Sequence, residues 1–256
     1  MKLIQSRDNA LFKQLKKLAE SGRERSKSGL TLLDGVHLVE AYEEAFGRLD
    51  TLVVAESAVS SGEVADYASG RNTVVLADAL MRDLGLVDTP SGLLAAAPIP
   101  TPSQAFRLDH DAILLDGVQD PGNLGTLLRT AAAAGIRQAA LSPGCASAWA
   151  PKVLRAGQGA HFALSIHEDV DLMATMADYE GTTAVTCLGG ATSLYEASWS
   201  GPLAWVFGAE GQGVSRELIE AAALRIRIPM PGQVESLNVA AAAAVCLFEA
   251  VRRRLA

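Results

Sequence analysis

Apolar residues recur along the chain with two periods, and the changes of period mark its elements. Leu11, Leu15 and Leu18 fall at helical spacing behind Ser6 or Asp8 as a cap, so a helix is expected over 6–20. Lys13, Lys16 and Lys17 lie on its other side. The run SGRERSKSG, 21–29, has no apolar stripe and reads as a polar, basic loop. Short apolar runs at 30–33, 51–55, 73–77 and 92–96 read as strands, with a helix over 36–46 and further helical stretches between and after them. A small α/β domain over 1–97 results. Pro98, Pro100 and Pro102 stiffen a linker over 98–106, because alternate prolines favour extended chain over helix.

From 107 to 256 the alternation becomes regular. Strands are expected at 112–115, 138–141, 162–166, 183–188, 203–207 and 225–228. Helices are expected at 123–135, 151–156, 169–179 and 215–223, and a last, alanine-rich one follows Ser236. Strands that alternate with helices make a mostly parallel sheet covered on both faces. Ligands of such sheets bind beyond the carboxyl ends of the strands, which directs attention to three turns.

The first turn, Asp116 to Gly125, precedes a helix; Asn123 reads as its N-cap. Arg129 follows six residues later, about 9 Å along the axis at 1.5 Å per residue. Its side chain leans back towards the helix mouth, where an anion such as phosphate is already favoured. A structural ion pair is the alternative. The second turn, Gly208-Ala209-Glu210-Gly211-Gln212-Gly213, has the glycines of a dinucleotide site. Glu210 would repel a pyrophosphate, so a neutral or cationic ligand suits it better, and a sulfonium compound such as S-adenosylmethionine is one. The third turn, Pro229-Met230-Pro231-Gly232, leads to Glu235, Ser236 and Asn238 at the mouth of the last helix. Ser236 reads there as the N-cap, and Ile228, Met230 and Leu237 are apolar walls fit for an adenine ring.

Composition narrows the classes. Forty-nine per cent of the residues are hydrophobic, enough for a full core in 256 residues. No apolar run has the length a membrane span needs. The N-terminus lacks a signal-peptide core, so a cytoplasmic protein is expected. Cys145, Cys187 and Cys246 are far apart, and neither they nor the four histidines have metal-ligand spacing; no metal is expected. Net charge is −7, yet residues 1–30 carry +5, leaving −12 elsewhere. A basic arm on an acidic body fits local contact with a polyanion, and a solvated helix face accounts for it equally.

Taken together, the three turns resemble motifs one, two and three of the SpoU/TrmH-like RNA ribose methyltransferases of the SPOUT superfamily. The carriers are Asp120-Pro121-Gly122-Asn123-Leu124-Gly125 with Arg129-Thr130, Gly208 to Gly213, and Ile228 to Gly232 with Glu235-Ser236-Leu237-Asn238-Val239. Ser6-Arg7-Asp8-Asn9, Phe12-Lys13, Leu18 and Leu33 to Val39 resemble the substrate-binding domain that precedes the catalytic one in many members. Asp34 stands where glutamate is usual, and Ala240 where serine is common.

The resemblance implies an α/β fold whose C-terminal domain is a deep trefoil knot. It implies S-adenosylmethionine held in that knot, and a homodimer with its sites at the interface. The reaction would be methyl transfer to a ribose 2′-hydroxyl in RNA, with ribosomal (23S) RNA expected. Asn123, Arg129, Glu210, Ser236 and Asn238 would form the catalytic set, and Gly208, Ile228, Met230 and Leu237 would contact the cofactor. Lys13, Lys16, Lys17 and Arg155 would contact RNA. Arginine's high pKa argues against Arg129 as a base and for a clamp on an RNA phosphate. The rivals are a tRNA-directed enzyme of the same group, an NAD-binding oxidoreductase using the Gly208–Gly213 turn, and an RNA-binding protein without catalysis.

Overall fold

A computed structural model of the chain describes residues 2–60, 62–86, 90–102, 104–187, 189, 191–234 and 236–255, the side chain of Lys2 excepted. Glu235 of the third motif, Leu188 of the strand expected over 183–188 and Ser103 of the linker lie outside the described residues.

One compact unit comprises Met1–Thr101 and Trp149–Phe162. Its elements are β1 (Lys2–Ile4), α1 (Ala10–Glu20), α2 (Gly22–Ser28), β2 (Leu30–Asp34), α3 (Val36–Phe46), β3 (Leu52–Ala55), α4 (Gly62–Ala68), β4 (Thr73–Leu76), α5 (Asp78–Asp83) and β5 (Leu93–Pro98). The sheet runs β1-β4-β3-β5-β2, with β5 antiparallel to both its neighbours and the other pairs parallel. Phe12, Leu15 and Leu18 of α1 are buried in one core with Leu32, Leu76 and Leu94 of the strands. Asn9, not Ser6 or Asp8, caps α1; its Oδ1 accepts from the N–H of Leu11 at 2.9 Å.

The expected loop over 21–29 is instead a helix. Ser21 Oγ accepts from Glu24 N–H at 3.2 Å, and Gly29 ends the helix in the left-handed region at φ 65°. Caps at both ends hold a short helix that has no apolar stripe. Arg25 is buried on its inner side and donates to the carbonyl of Leu18 at 2.8 Å.

The segment Trp149–Phe162 carries α7 in this unit, although the sequence reading grouped it with the residues after the linker. Thr31 Oγ1 donates to the carbonyl of Trp149 at 2.6 Å, and Arg155 pairs with the nearly buried Asp34 at 2.6 Å.

The second unit comprises Pro102–Ala148 and Ala163–Ala256. In chain order its elements, with α7 of the first unit in its place, are β6 (Ala112–Asp116), α6 (Pro121–Ala133), β7 (Gln138–Leu141), α7 (Pro151–Gly157), β8 (Ser165–His167), α8 (Leu172–Asp178), β9 (Thr182–Thr186), β10 (Thr192–Ser193), β11 (Leu203–Gly208), α9 (Arg216–Ala221), β12 (Leu224–Arg227) and α10 (Val239–Leu255). Seven parallel strands run β10-β12-β9-β11-β6-β7-β8. The strand expected over 162–166 begins only at Ser165, because Ala160–Ala163 make a turn of 3₁₀ helix.

Helix α10 packs on α6 and β11. Its alanines let backbones approach closely, and Ala243, Cys246, Leu247 and Ala250 are buried there. Burial pushes the Cys246 thiol up to about 12, so it is an inert packing group. At the far end Arg252 and Arg253 hold the shielded carboxyl of Glu249 down to about 2.

Candidate active site

The carboxyl ends of β9, β11 and β12 open onto a cavity of about 600 Å³, bounded also by the start of α10. Thr186 and Cys187 come from β9, residues 208–214 from β11 and the loop after it, and Ile226, Ile228 and Met230 from β12 and its turn. Ile219 of α9 and Ser236, Leu237, Asn238, Val239 and Ala242 also line the cavity.

The glycine loop is tightly folded. Gly213 N–H donates to the carbonyl of Ala209 at 2.8 Å, and this closure brings residues 213 and 214 back against β11. A Cβ at Gly208 would stand 2.1 Å from the carbonyl of Gly213, so only glycine fits. Gly211 and Gly213 need glycine for another reason, with φ of 83° and 74° and open space around them.

Two expected caps are placed otherwise. Asp120, not Asn123, caps α6: its Oδ1 accepts from Asn123 N–H at 2.7 Å. Pro121 at the first helical position already lacks the N–H that a cap further back would leave unsatisfied. Asn238, not Ser236, serves the start of α10, accepting from Ala240 N–H at 2.9 Å and Ala241 N–H at 3.3 Å.

The shift frees the Asn123 side chain, and Asn238 still has its amide N–H groups to offer, so both join the turns. Asn238 Nδ2 donates to Asn123 Oδ1 at 2.9 Å, and Asn123 Nδ2 donates to Glu210 Oε1 at 2.8 Å. The chemistry fixes both amides: the carboxylate of Glu210 only accepts, and the helix N–H groups claim the oxygen of Asn238. A directed chain of hydrogen bonds thus runs from α10 through α6 to the glycine loop. Asp116, at the end of β6, braces the same loop from behind. Its Oδ2 accepts from Ser215 N–H at 2.8 Å and its Oδ1 from Ser142 Oγ at 3.3 Å.

Of the residues expected at the site, Gly208, Glu210, Ile228, Met230, Ser236, Leu237 and Asn238 line the cavity, and Asn123 reaches it through Glu210 and Asn238. Arg129 does not line it. Arg129 is exposed on α6 and forms no ion pair among the described residues. The basic residues of the other unit are partly committed. Lys13 pairs with Asp8 at 2.8 Å, Lys16 with Glu20 at 3.0 Å, and Arg155 with Asp34. Lys17 is exposed. Asp116, Thr186, Cys187 and Ile226 escaped the sequence reading. Thr186 ends β9 and Cys187 follows it, at a strand end without glycine or a charged motif to single it out.

The cavity's described residues offer apolar side chains, glycine backbone and the carboxylate of Glu210. Such a lining suits a flat heteroaromatic group with a cationic tail and disfavours a phosphate. Among the described residues Cys187 is the other acid–base group of the lining, and burial raises its thiol. No cluster of His, Cys, Asp and Glu among the described residues has the arrangement of a metal site.

Known proteins resemble this chain along nearly its whole length. Residues 111–248 match the model of the SpoU rRNA Methylase family, and residues 9–95 match the MRM3-like substrate binding domain. The chain is 34% identical over 97% of its length, and 98% of the relative's, to the 23S rRNA (guanosine(2553)-2′-O)-methyltransferase RlmP of Bacillus subtilis. Among solved structures it resembles an RNA 2′-O ribose methyltransferase, with a TM-score of 0.86 and 29% identity over 99% of this chain and 100% of that one. It also resembles the AdoMet-bound rRNA methyltransferase of Sinorhizobium meliloti, with a TM-score of 0.81 and 26% identity over 100% and 98%.

Proposed function

The chain belongs to the SpoU rRNA methylase family, and from that premise we propose that it methylates a ribose 2′-hydroxyl of 23S ribosomal RNA with S-adenosylmethionine as donor. The observation that carries this reading is that the second and third turns line one cavity and the first is tied to both by the Asn238–Asn123–Glu210 chain.

The residues present fit the donor. Ile228, Met230 and Leu237 supply apolar walls for an adenine, Gly208 lets backbone approach where any side chain would collide, and Glu210 favours a positive charge. When bound, S-adenosylmethionine supplies an electrophilic methyl group on a sulfonium. The protein's own work is to bind, orient and exclude water. Asn123 and Asn238 hold the three loops in register, so little rearrangement is left for the reacting state. Ser236 presents a hydroxyl at the cavity wall to orient the donor or the incoming ribose. Arg129, exposed and uncommitted, clamps an RNA phosphate near the helix mouth, because a guanidinium stays protonated and pairs with phosphate in two-point geometry.

The unit holding residues 1–97 docks the RNA, and its free cations, Lys17 first, supply phosphate contacts. Lys13 exchanges its carboxylate partner for phosphate on docking, at small cost for an exposed pair. The C-terminal stretch is threaded as a deep trefoil knot, as the family fold implies. The enzyme works as a homodimer in the cytoplasm. The exposed apolar side chains of Phe248 and Leu255 on α10, 47% and 83% accessible, support a partner copy there.

Calorimetry with S-adenosylmethionine and with NADH, followed by methyl transfer to 23S and to tRNA transcripts, tests the reading. Saturable binding of S-adenosylmethionine alone and 2′-O-methylation of the 23S transcript are expected. Binding of NADH, or methylation of tRNA in its place, would overturn it.

A further inference from the structure

We infer that Glu210 is the group that takes the proton from the attacking ribose hydroxyl. The inference rests on the reading of the cavity as a 2′-O-methyltransferase site. A hydroxyl must lose its proton as it attacks, so a base belongs within reach of the site. Among the described lining residues only Glu210 and Cys187 titrate, and burial keeps Cys187 a thiol. Arg129 is a permanent cation and does not line the cavity.

Among the described residues, the other charged groups on the packed elements are engaged elsewhere or lie outside the lining; Arg225 of β12 donates to the carbonyl of Ile219 at 3.0 Å. Asp116 spends both oxygens, on Ser142 and Ser215. Asp120 caps α6 with Oδ1. On α9, Arg216 pairs with Glu220 at 2.7 Å, and Glu217 lies in the first turn of that helix outside the lining. The charged residues of α10 sit in its last turns.

Glu210 differs from all of these. One oxygen, Oε1, is held by Asn123 at 2.8 Å, while Oε2 accepts no hydrogen bond among the described residues. The carboxylate is therefore aimed by one atom and open at the other. The 2′ oxygen forms its bond to the methyl carbon as the carbon–sulfur bond breaks, leaving its electron pair on sulfur. The hydroxyl proton passes to Oε2 and from there to water.

The test uses the full-length enzyme, wild type and the variants Glu210→Gln, Glu210→Asp and Arg129→Ala. S-adenosylmethionine and RNA affinities are measured by calorimetry, and single-turnover methylation is measured against pH. In the wild type the rate rises about tenfold per pH unit at the acid end and then levels off. Glu210→Gln is expected to keep RNA affinity within about threefold, to weaken S-adenosylmethionine binding as a charge near the sulfonium is lost, and at saturating donor to lose about a hundredfold or more in rate together with the acid slope. Glu210→Asp restores part of the rate and the slope, and Arg129→Ala keeps the slope while weakening RNA binding. A Glu210→Gln enzyme within threefold of the wild-type rate would overturn the assignment. A Glu210→Gln enzyme that regains the wild-type rate and acid slope at saturating S-adenosylmethionine would also overturn it, making the carboxylate a cofactor ligand only. Failure of the wild type itself to form any 2′-O-methyl product would bring down the underlying functional reading as well.

Discussion

At the scale of single residues the site is built by a few side chains that can be replaced one at a time. Gly208→Ala places a methyl group 2.1 Å from the Gly213 carbonyl, and the flanking loop must open. It is expected to weaken S-adenosylmethionine binding at least tenfold, read by calorimetry; unchanged affinity would mean that the loop does not form the cofactor wall. Asn123 and Asn238 act as one unit. Their alanine variants are expected to be non-additive in a double-mutant cycle on the methylation rate, with a coupling of about 0.5–3 kcal/mol. Strict additivity would show that their contact at 2.9 Å carries no functional weight. Sequence pattern placed both asparagines at helix mouths but assigned the caps to Asn123 and Ser236, where the structure uses Asp120 and Asn238. A cap is a local hydrogen bond, visible within three residues. The bonds from Asn123 to Glu210 and to Asn238 span 87 and 115 positions, and no local pattern encodes such a pairing.

At the scale of elements, α10 organises the second unit. Leu247 is 2% accessible on its inner face, so Leu247→Ala should cost about 2–5 kcal/mol in chemical denaturation. Glu249 gives a pH-dependent contribution. Its carboxyl is held down to about 2 in the folded protein by Arg252 and Arg253, below the ordinary value near 4.5. A depressed acid stabilises fully above its unfolded value, and the contribution fades as pH falls through the folded one. Glu249→Gln should therefore lower stability at neutral pH, with the difference from wild type shrinking between about pH 4.5 and 2; a constant difference across that window would remove the ion pairs from the account. The regular strand and helix periods were legible because buried strands and amphipathic helices advertise themselves. β1 and β10, at three and two residues, are too short to show a period. α2 has caps in place of an apolar stripe, so a search for stripes passes over it.

At the scale of the whole molecule, residue order predicted a parallel sheet but not its strand order. Nothing in the run of β9, β10, β11 and β12 says that β12 lies between β9 and β10, since that depends on how the connections cross. Nor does any composition shift announce that Trp149–Phe162 belongs with the first unit. Charge reversal at Lys13, Lys16 and Lys17 together should weaken RNA binding and flatten its salt dependence, while leaving S-adenosylmethionine affinity intact. An unaltered salt slope would reduce this face to a solvated helix. Replacing Phe248 by Glu should shift the sedimentation of a dimer towards a monomer; unchanged sedimentation of a dimer would place the partner contact elsewhere. The central claim is methylation of a ribose in 23S RNA, and mapping 2′-O-methyl groups in RNA from cells with and without the gene tests it most directly. The account predicts one 23S position that loses its 2′-O-methyl group with the gene and regains it with the wild-type chain but not with Glu210→Gln. A 23S map identical in both cells, or a lost methyl group on a base, would contradict it.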